Sequence, residues 1–487
     1  SNPPKIAVID APLIDSAIED YKKTVLEEMK PVSSMKRGPL SIKEALQGTG
    51  EDFMITPMRK TSPGVPLVNM GLPSKGACIR EHMEGSNRIV DGVDAKFAKR
   101  YNSVVNDLSN GVAPSVPHML FLKDEIKKLG KNIRGINGCP FELHVLYLQY
   151  FLPFFASFRK TRFRVGSAIG IDIGRDASQL FQYLGEVQEE PLQERKFLTA
   201  DYSNFGPTII HHVASRLIDV IIAWSKKYMD IDDCDVLMMR RLWAILCQAE
   251  HVVLDEVWYC SQGVFSGNPF TDCINTMVNN IYVRCAFIGC CTKYAPHLAS
   301  LEDGVYNLRN FRKHVRVVAY GDDLIISVAE PFLSIFNNVS LQEFIQNTFG
   351  LTMTDALKRP EMVPFDIFQD VSFLKHSFAA HPERRGIILS KLDFQTIVNM
   401  VCYIRGKDEV LSRHEQIATD AVRFSHAHGR TVFVDVRGKL SDCLVQMGSS
   451  LVLESWAEID HSLFDAGLNS FSGNVNQCSF LSNVNSC

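Results

Sequence analysis

The sequence predicts an α+β protein, and three observations carry that prediction. Several long stretches repeat apolar residues at helical spacing. The segment "RVVAYGDDLIISV" (Arg316 to Val328) sets β-branched runs on both sides of a Gly-Asp pair, the pattern of strand, tight turn and strand. The chain also has 487 residues, 46% of them hydrophobic, which is enough for a large core shared by two or three linked subdomains.

The elements follow in chain order. "LIDSAIEDYKKTVLEEM" (Leu13 to Met29) is the clearest amphipathic helix of the first 50 residues, and Thr56 to Gly76, rich in proline and glycine, is a loop of enforced turns. "LHVLYLQYFLPFFASF" (Leu143 to Phe158) is the most membrane-like stretch. It is shorter than a span and contains Gln149 and Pro153, so it reads as a buried core helix, and no membrane span is expected. Lys196 to Ala200 reads as a strand running into Asp201. "PTIIHHVASRLIDVIIAWSKKY" follows as a helix with Pro207 near its first turn. A strand, a Gly-rich turn and a long helix come next, the helix marked by Ile274, Met277, Val278, Ile281 and Cys285. After the hairpin the chain turns mostly helical from about residue 385. The stretch after Asp465 carries no charge and is rich in Asn and Ser.

The 13 cysteines are odd in number and include no CxxC pair, so they are expected to be reduced thiols of a cytosolic compartment, packed as small hydrophobes. A structural zinc site is not expected. The net charge of −4 argues against nucleic acid, but binding depends on where the cations sit. They cluster in "KDEIKKLGKNIR" (Lys123 to Arg134), "RKTRFR" (Arg159 to Arg164) and "RNFRKHVR" (Arg309 to Arg316). Each run reads either as a solvated face or as a phosphate-binding patch.

A turn needs only one aspartate, and Asp322 and Asp323 repel each other. A divalent cation resolves the conflict, because hard cations such as magnesium take carboxylate oxygens together with substrate phosphates. A third carboxylate should then arrive from a neighbouring strand, and Asp201 is the candidate. Two ions held this way activate an attacking hydroxyl and stabilise a leaving pyrophosphate.

With these residues in view, "YGDD" between hydrophobic strands resembles motif C of viral RNA-dependent RNA polymerases, and other motifs follow in family order. "TSPGVP" (Thr61 to Pro66) resembles motif G, "LKDEIKKLGKNIR" motif F, "DYSNFGPT" motif A and "GVFSGNPFTDCINTMVNN" motif B. "GLTMTDALK" (Gly350 to Lys358) resembles motif D and "FLKH" (Phe373 to His376) motif E. The group most resembled is picornavirus-like, with "NFGP" most similar to iflavirus or dicistrovirus enzymes. The resemblance implies a right-hand polymerase. Fingers would span 1–190 with a return crossing near 240–265, a palm of antiparallel sheet plus helices 191–380, and a helical thumb with the uncharged tail 381–487.

The implied activity is RNA-directed RNA synthesis on a positive-strand virus genome. Asp201, Asp322 and Asp323 are the implied ligands of two Mg²⁺ ions, for which Mn²⁺ can substitute, and Lys358 is the implied general acid. Lys123, Lys131, Arg134, Ser266, Gly267, Thr271 and Asn275 are implied to bind the nucleotide. Thr61, Ser62, Gly64 and Lys375 are implied to touch RNA. Template and product RNA, NTPs, a genome-linked peptide primer and other viral replication proteins are the implied partners, at membrane-associated replication complexes of the host cytoplasm. The chain departs from the family pattern at three places. Asn132 replaces a motif F lysine, His376 a motif E arginine, and Gly206 the second aspartate of motif A, which helps sense the ribose hydroxyl.

Two other readings compete. A reverse transcriptase shares motifs A and C but carries a bulky aromatic near the Gly206 position, where glycine leaves room for ribose. A non-catalytic RNA-binding scaffold would have no reason to keep three aspartates.

Overall fold

The protein is seen in a computed structural model, which describes residues 11–34, 36–123, 130, 133–253, 256–259, 262–264, 266–298, 301–302, 305–306, 308–403 and 410–465. Helix α1 (Ala11–Glu28) buries an apolar stripe that includes Ile14, Ile18, Tyr21 and Val25. Strands β1 (His118–Leu122) and β2 (Gly135–Gly138) precede helix α2 (Phe141–Thr161), which is buried along nearly its whole length.

Pro153 sits inside α2 and removes the amide that Gln149 C=O would normally accept. The Leu40 amide takes that carbonyl instead, at 2.9 Å. The Gln149 side chain is satisfied too, donating to Leu40 C=O at 2.7 Å and accepting from the Tyr101 hydroxyl. Both polar anomalies of the membrane-like stretch therefore have protein partners. Among the described residues, no helix is long and apolar enough to cross a membrane.

Strand β3 (Lys196–Tyr202) leads to helices α3 (His211–Tyr228) and α4 (Asp233–Cys247), then to strands β4 (Glu250–Val253) and β5 (Glu256–Tyr259) and helix α5 (Thr271–Tyr294). Pro207 does not open the long helix as its sequence position suggests. Phe205–Thr208 makes a separate helical turn, and α3 starts at His211. The reason is local pairing: the Val264 and Gly263 amides bond to Gly206 C=O and Ile209 C=O at 2.9 and 2.8 Å, tying this segment to the loop before α5.

Strands β6 (Val315–Tyr320) and β7 (Asp323–Val328) form the hairpin. Helix α6 (Asn338–Phe349) and strand β8 (Met353–Asp355) follow. Strands β9 (His376–Ala380) and β10 (Ile388–Leu392) pair antiparallel, so the helical region begins later than the sequence suggests, where Asp393 caps helix α7 (Phe394–Cys402). Helices α8 (Val410–His426), α9 (Arg430–Gln446) and α10 (Trp456–Phe464) complete it around Val422, Phe433, Trp456 and Ile459.

Two sheets organise the molecule. The central one is five-stranded and antiparallel, in the order β6-β7-β3-β8, with Asp366–Ile367 also pairing on β3. Its strands are buried on both faces, and alternation divides them. Leu198, Ala200, Val317, Leu324 and Ile326 join the large core with α5, whereas Phe197, Val318 and Ile325 join a second core with Phe181 and Phe368. The outer sheet runs β2-β1-β4-β5, and its one parallel pair, β1 with β4, joins segments far apart in sequence. No disulfide joins any two of the ten described cysteines.

Candidate active site

The ladder between β7 and β3 registers Leu324 with Ala200, so Asp323 and Asp201 lie at the adjoining strand ends. Asp201 pairs on its other side with Thr354 of β8. Gly321, with φ 62, turns the chain between β6 and β7 and presents Asp322. Three carboxylates thus converge from two adjacent strands and one turn.

Their electrostatics show the strain of that convergence. Burial, then Asp322 and Asp201, push the Asp323 carboxyl up to about 7. Asp322 still meets solvent at the turn, but protein crowds it on most sides; this burial raises it first and the Asp201 charge second, while Arg134 pulls it down. Lys358 lies on β8's exit and places its ammonium directly on Asp201 Oδ2, with Thr354 Oγ1 at 3.3 Å. Its backbone adopts φ 59, a left-handed conformation that fixes how the lysine is aimed.

Among the described residues, no three acidic, histidine or cysteine side chains are already gathered as a metal cage. The donor set nevertheless fits a hard divalent cation. It consists of carboxylate oxygens only, it is crowded and mutually repulsive, and a cationic ammonium already rests where positive charge is wanted.

Around the carboxylates the other motif residues fall into separate groups. Lys123 N–H bonds to Arg134 C=O at 2.8 Å, closing the β1–β2 ladder. Lys131 and Asn132 lie outside the described residues. The loop before α5 folds onto that ladder, with Ser266 Oγ donating to Gly135 C=O at 3.3 Å. Gly267 (φ 105) sits so close that an added Cβ would lie 1.5 Å from Asn137 O. Thr271 Oγ1 donates to Asn268 C=O, and one helical turn on, Asn275 buries an Oδ1 that has no hydrogen-bond partner. Gly206 faces this amide: a Cβ there would meet Asn275 Nδ2 at 3.7 Å. The position of the absent motif A carboxylate is therefore beside Asn275, whose acceptor stays open.

Lys375 is exposed at a tight turn in which it and Leu374 both have positive φ, and its charge draws Asp323 down. His376, by contrast, is buried. Its Nδ1 donates to Leu374 C=O at 2.6 Å, and burial pushes the imidazole down to about 4, so it cannot stand in for a cationic arginine. Thr61 and exposed Ser62 lead into a turn at Gly64 that packs against the start of α2. Gly64 approaches Pro140, and Phe141 N–H bonds to Pro63 C=O.

Two of the three basic clusters engage many of their cations in ion pairs, although Lys160, Arg164, Arg309, Arg312 and Lys313 remain exposed. Arg159 is buried against Asp272, Arg162 pairs with Asp176, Lys160 with Asp52 and Arg164 with Glu186. In the last cluster Arg312 pairs with Asp20 and Arg316 with Glu186. Their acids come from distant segments, which a sequence cannot display. The sequence reading also passed over Tyr202, Thr276 and Asn279. All three are buried polar side chains beside the carboxylate turn, and polar positions recurring on the inner face of an apolar helix were the available signal.

An antiparallel sheet carrying carboxylates at its joined ends, faced by an arginine-bearing ladder, defines the class of a right-hand nucleic-acid polymerase. A family model described as viral RNA-dependent RNA polymerase matches residues 8–444, and the chain belongs to that family. The genome polyprotein of Deformed wing virus is 26% identical over 462 residues, covering 92% of this chain and 15% of that polyprotein. The replicase polyprotein of Cricket paralysis virus is 25% identical over 457 residues, covering 90% of this chain and 24% of that one. The chain thus spans about a quarter or less of these two polyproteins. Among solved structures, Sicinivirus 3Dpol RNA dependent RNA polymerase superposes with a TM-score of 0.71 at 18% identity, covering 92% of this chain and 84% of that one, which establishes the shared fold.

Proposed function

We propose that this chain extends an RNA 3′-end on an RNA template, using NTPs, to copy the genome of a positive-strand, picorna-like virus. The observation that carries the reading is the meeting of Asp201, Asp322 and Asp323 at the ends of β3 and β7 beside Arg134 and Lys358. Asp201 and Asp322 would be the main ligands of two Mg²⁺ ions, with Asp323 supporting. Such ions, when bound, supply positive charge to the attacking hydroxyl and to the phosphates.

The chain's own groups do the rest. Arg134 offers a planar fork and Lys123 a point charge for triphosphate oxygens, with Lys131 a third cation from the same arm. Asn275, with Thr271 on the same helix face, offers its open Oδ1 to a ribose hydroxyl. The Lys358 side chain is 62% exposed, and its Nζ can hand a proton to a leaving phosphate oxygen once it swings off Asp201. Lys375 and the Thr61 to Gly64 turn are the proposed RNA contacts. The relatives are polyproteins, which supports release by proteolysis. In the same proposal the chain works with other viral replication proteins and a genome-linked peptide primer, at membrane-associated complexes of the host cytoplasm.

Primer extension on an RNA template tests the core of this reading. Ribonucleotide incorporation with Mg²⁺ or Mn²⁺ is expected, and Asp322→Ala should lower it by about a thousandfold or more. Incorporation that survives this substitution, or a preference for dNTPs, overturns it.

A further inference from the structure

Helix α5 runs through the large core, yet its inner face carries Thr276 and Asn279, both fully buried. Buried polar groups destabilise a core unless each finds a partner, and here the partners are specific. Thr276 Oγ1 accepts the Gly321 N–H at 2.8 Å while its hydroxyl donates back to Asp272 C=O at 2.9 Å. Asn279 Nδ2 donates to Gly321 C=O at 3.2 Å. Its Oδ1 accepts the Tyr202 hydroxyl, also at 3.2 Å.

Gly321 lies in the turn, beyond the last ladder pair Tyr320–Asp323, so the sheet does not bond its amide and carbonyl. Both polar groups of this one residue are instead taken by two side chains of α5. Gly321 is the residue before Asp322, and Tyr202 is the residue after Asp201. Asn279 therefore touches the chain next to both carboxylates at once. Simple satisfaction of buried polar groups would not require the bonds to fall on the two residues flanking these aspartates.

We propose that Thr276 and Asn279 are positioning residues: from α5 they grip Gly321 and Tyr202 and so set the spacing between Asp322 and Asp201. This inference rests on the polymerase reading of the site. Neither side chain touches substrate. Displacement of a reacting group by about 1 Å can slow an enzyme on the order of a hundredfold, so a clamp of this kind has catalytic weight.

The test uses the full chain in single-nucleotide incorporation on a primed RNA template. Direct Mn²⁺ binding, read by electron paramagnetic resonance of the free ion, gives a measure independent of turnover. Thr276→Val keeps the shape and removes the acceptor. It should lower the maximal rate about 10- to 100-fold and weaken Mn²⁺ binding several-fold, with RNA affinity unchanged within about twofold. Thr276→Ser restores the hydroxyl and should return both values to within about threefold of wild type. Tyr202→Phe, the milder change if the valine variant folds poorly, should show the same pattern at about 3- to 10-fold.

The proposal is overturned if Thr276→Val and Tyr202→Phe leave rate and Mn²⁺ binding unchanged. It is equally overturned if serine is as poor as valine, or if the losses follow RNA affinity instead. A wild-type chain that incorporates nothing would sink the polymerase reading itself, a different outcome from an active wild type with unaffected variants.

Discussion

At Asp323 a carboxyl group stands next to two others in a crowded cleft. Its folded value of about 7 lies above the ordinary 3.8, so between those limits the folded state holds a proton that the unfolded state has lost. The contribution of this carboxyl to stability is therefore full below about pH 4 and is lost as pH rises through 7. In chelator, Asp323→Asn should melt higher than wild type at pH 8, and the difference should disappear near pH 4; incorporation should drop about tenfold or more. Thermal melts at the two pH values check the first part, and primer extension the second. The same residue shows what sequence can and cannot reveal. Two adjacent aspartates in a hairpin announce a cation, because nothing else makes their repulsion useful. Nothing local announces that Lys358 supplies a counter-charge to Asp201, since the left-handed turn that aims it has no glycine signature.

Among elements, the contact of the α5 loop with β2 is the tightest in the site. Gly267→Ala would drive a methyl group into Asn137 O and strain a φ of 105 as well. The loop must shift, and incorporation should fall on the order of a hundredfold while the melting temperature moves little. Retention of near-normal activity would mean that this loop has freedom the fold does not show.

The outer sheet carries a pH liability of its own. His118 of β1 and His251 of β4 are buried partners in register with ring centroids 5.8 Å apart. Burial first, then His251, lower His118 to about 4. Glu250 and Val116 backbone groups raise it slightly, and Asn137 Oδ1 faces His251 Nδ1 at 3.1 Å. Below about 6.5 the unfolded chain takes up a proton that the folded one refuses, so stability falls as pH drops towards 4, by about 2–3 kcal/mol for this group. Urea midpoints from pH 7 to 4.5 should show a shallower slope for His118→Phe than for wild type. The strands of the hairpin were legible from β-branched runs around a Gly-Asp pair, and α2 from an apolar run too short for a span and broken by Gln149 and Pro153. The outer sheet was not, because its parallel pair joins residues near 118 and 251, and no local pattern encodes such a partner. Pro207 misled for a related reason: a proline suits a helix start, but distant amides at 263 and 264 claimed the carbonyls first.

For the whole molecule, α1 is the strap. Asp20 on α1 is buried and bonds Arg284 of α5 at 2.9 Å, with Arg312 at 3.2 Å, while Arg284 also lies over the Tyr21 and Phe311 rings. Arg284→Ala leaves buried Asp20 with Arg312 alone and empties the space between the two rings, so it should destabilise the protein by about 3 kcal/mol, measurable as a shift of the urea midpoint. Incorporation at low temperature should fall as well, because α5 carries Thr271, Asn275 and the grip on Gly321. No sequence pattern couples positions 20 and 284. Only the assembled fold shows why an acid sits on the inner side of the first helix.

That pairing also bears on how the chain comes into being. At a ribosomal pace of roughly 5–20 residues per second, Asp20 emerges roughly tens of seconds before Arg284 exists to receive it. The first helix can dock on α3 as soon as that helix exists, with Asp15 held by Arg216, but its buried acid has no Arg284 until α5 is made. The pair can therefore form only shortly before the chain reaches the turn at Gly321, so a nascent chain cut short before residue 284 has neither the anchor of its first helix nor the carboxylate turn.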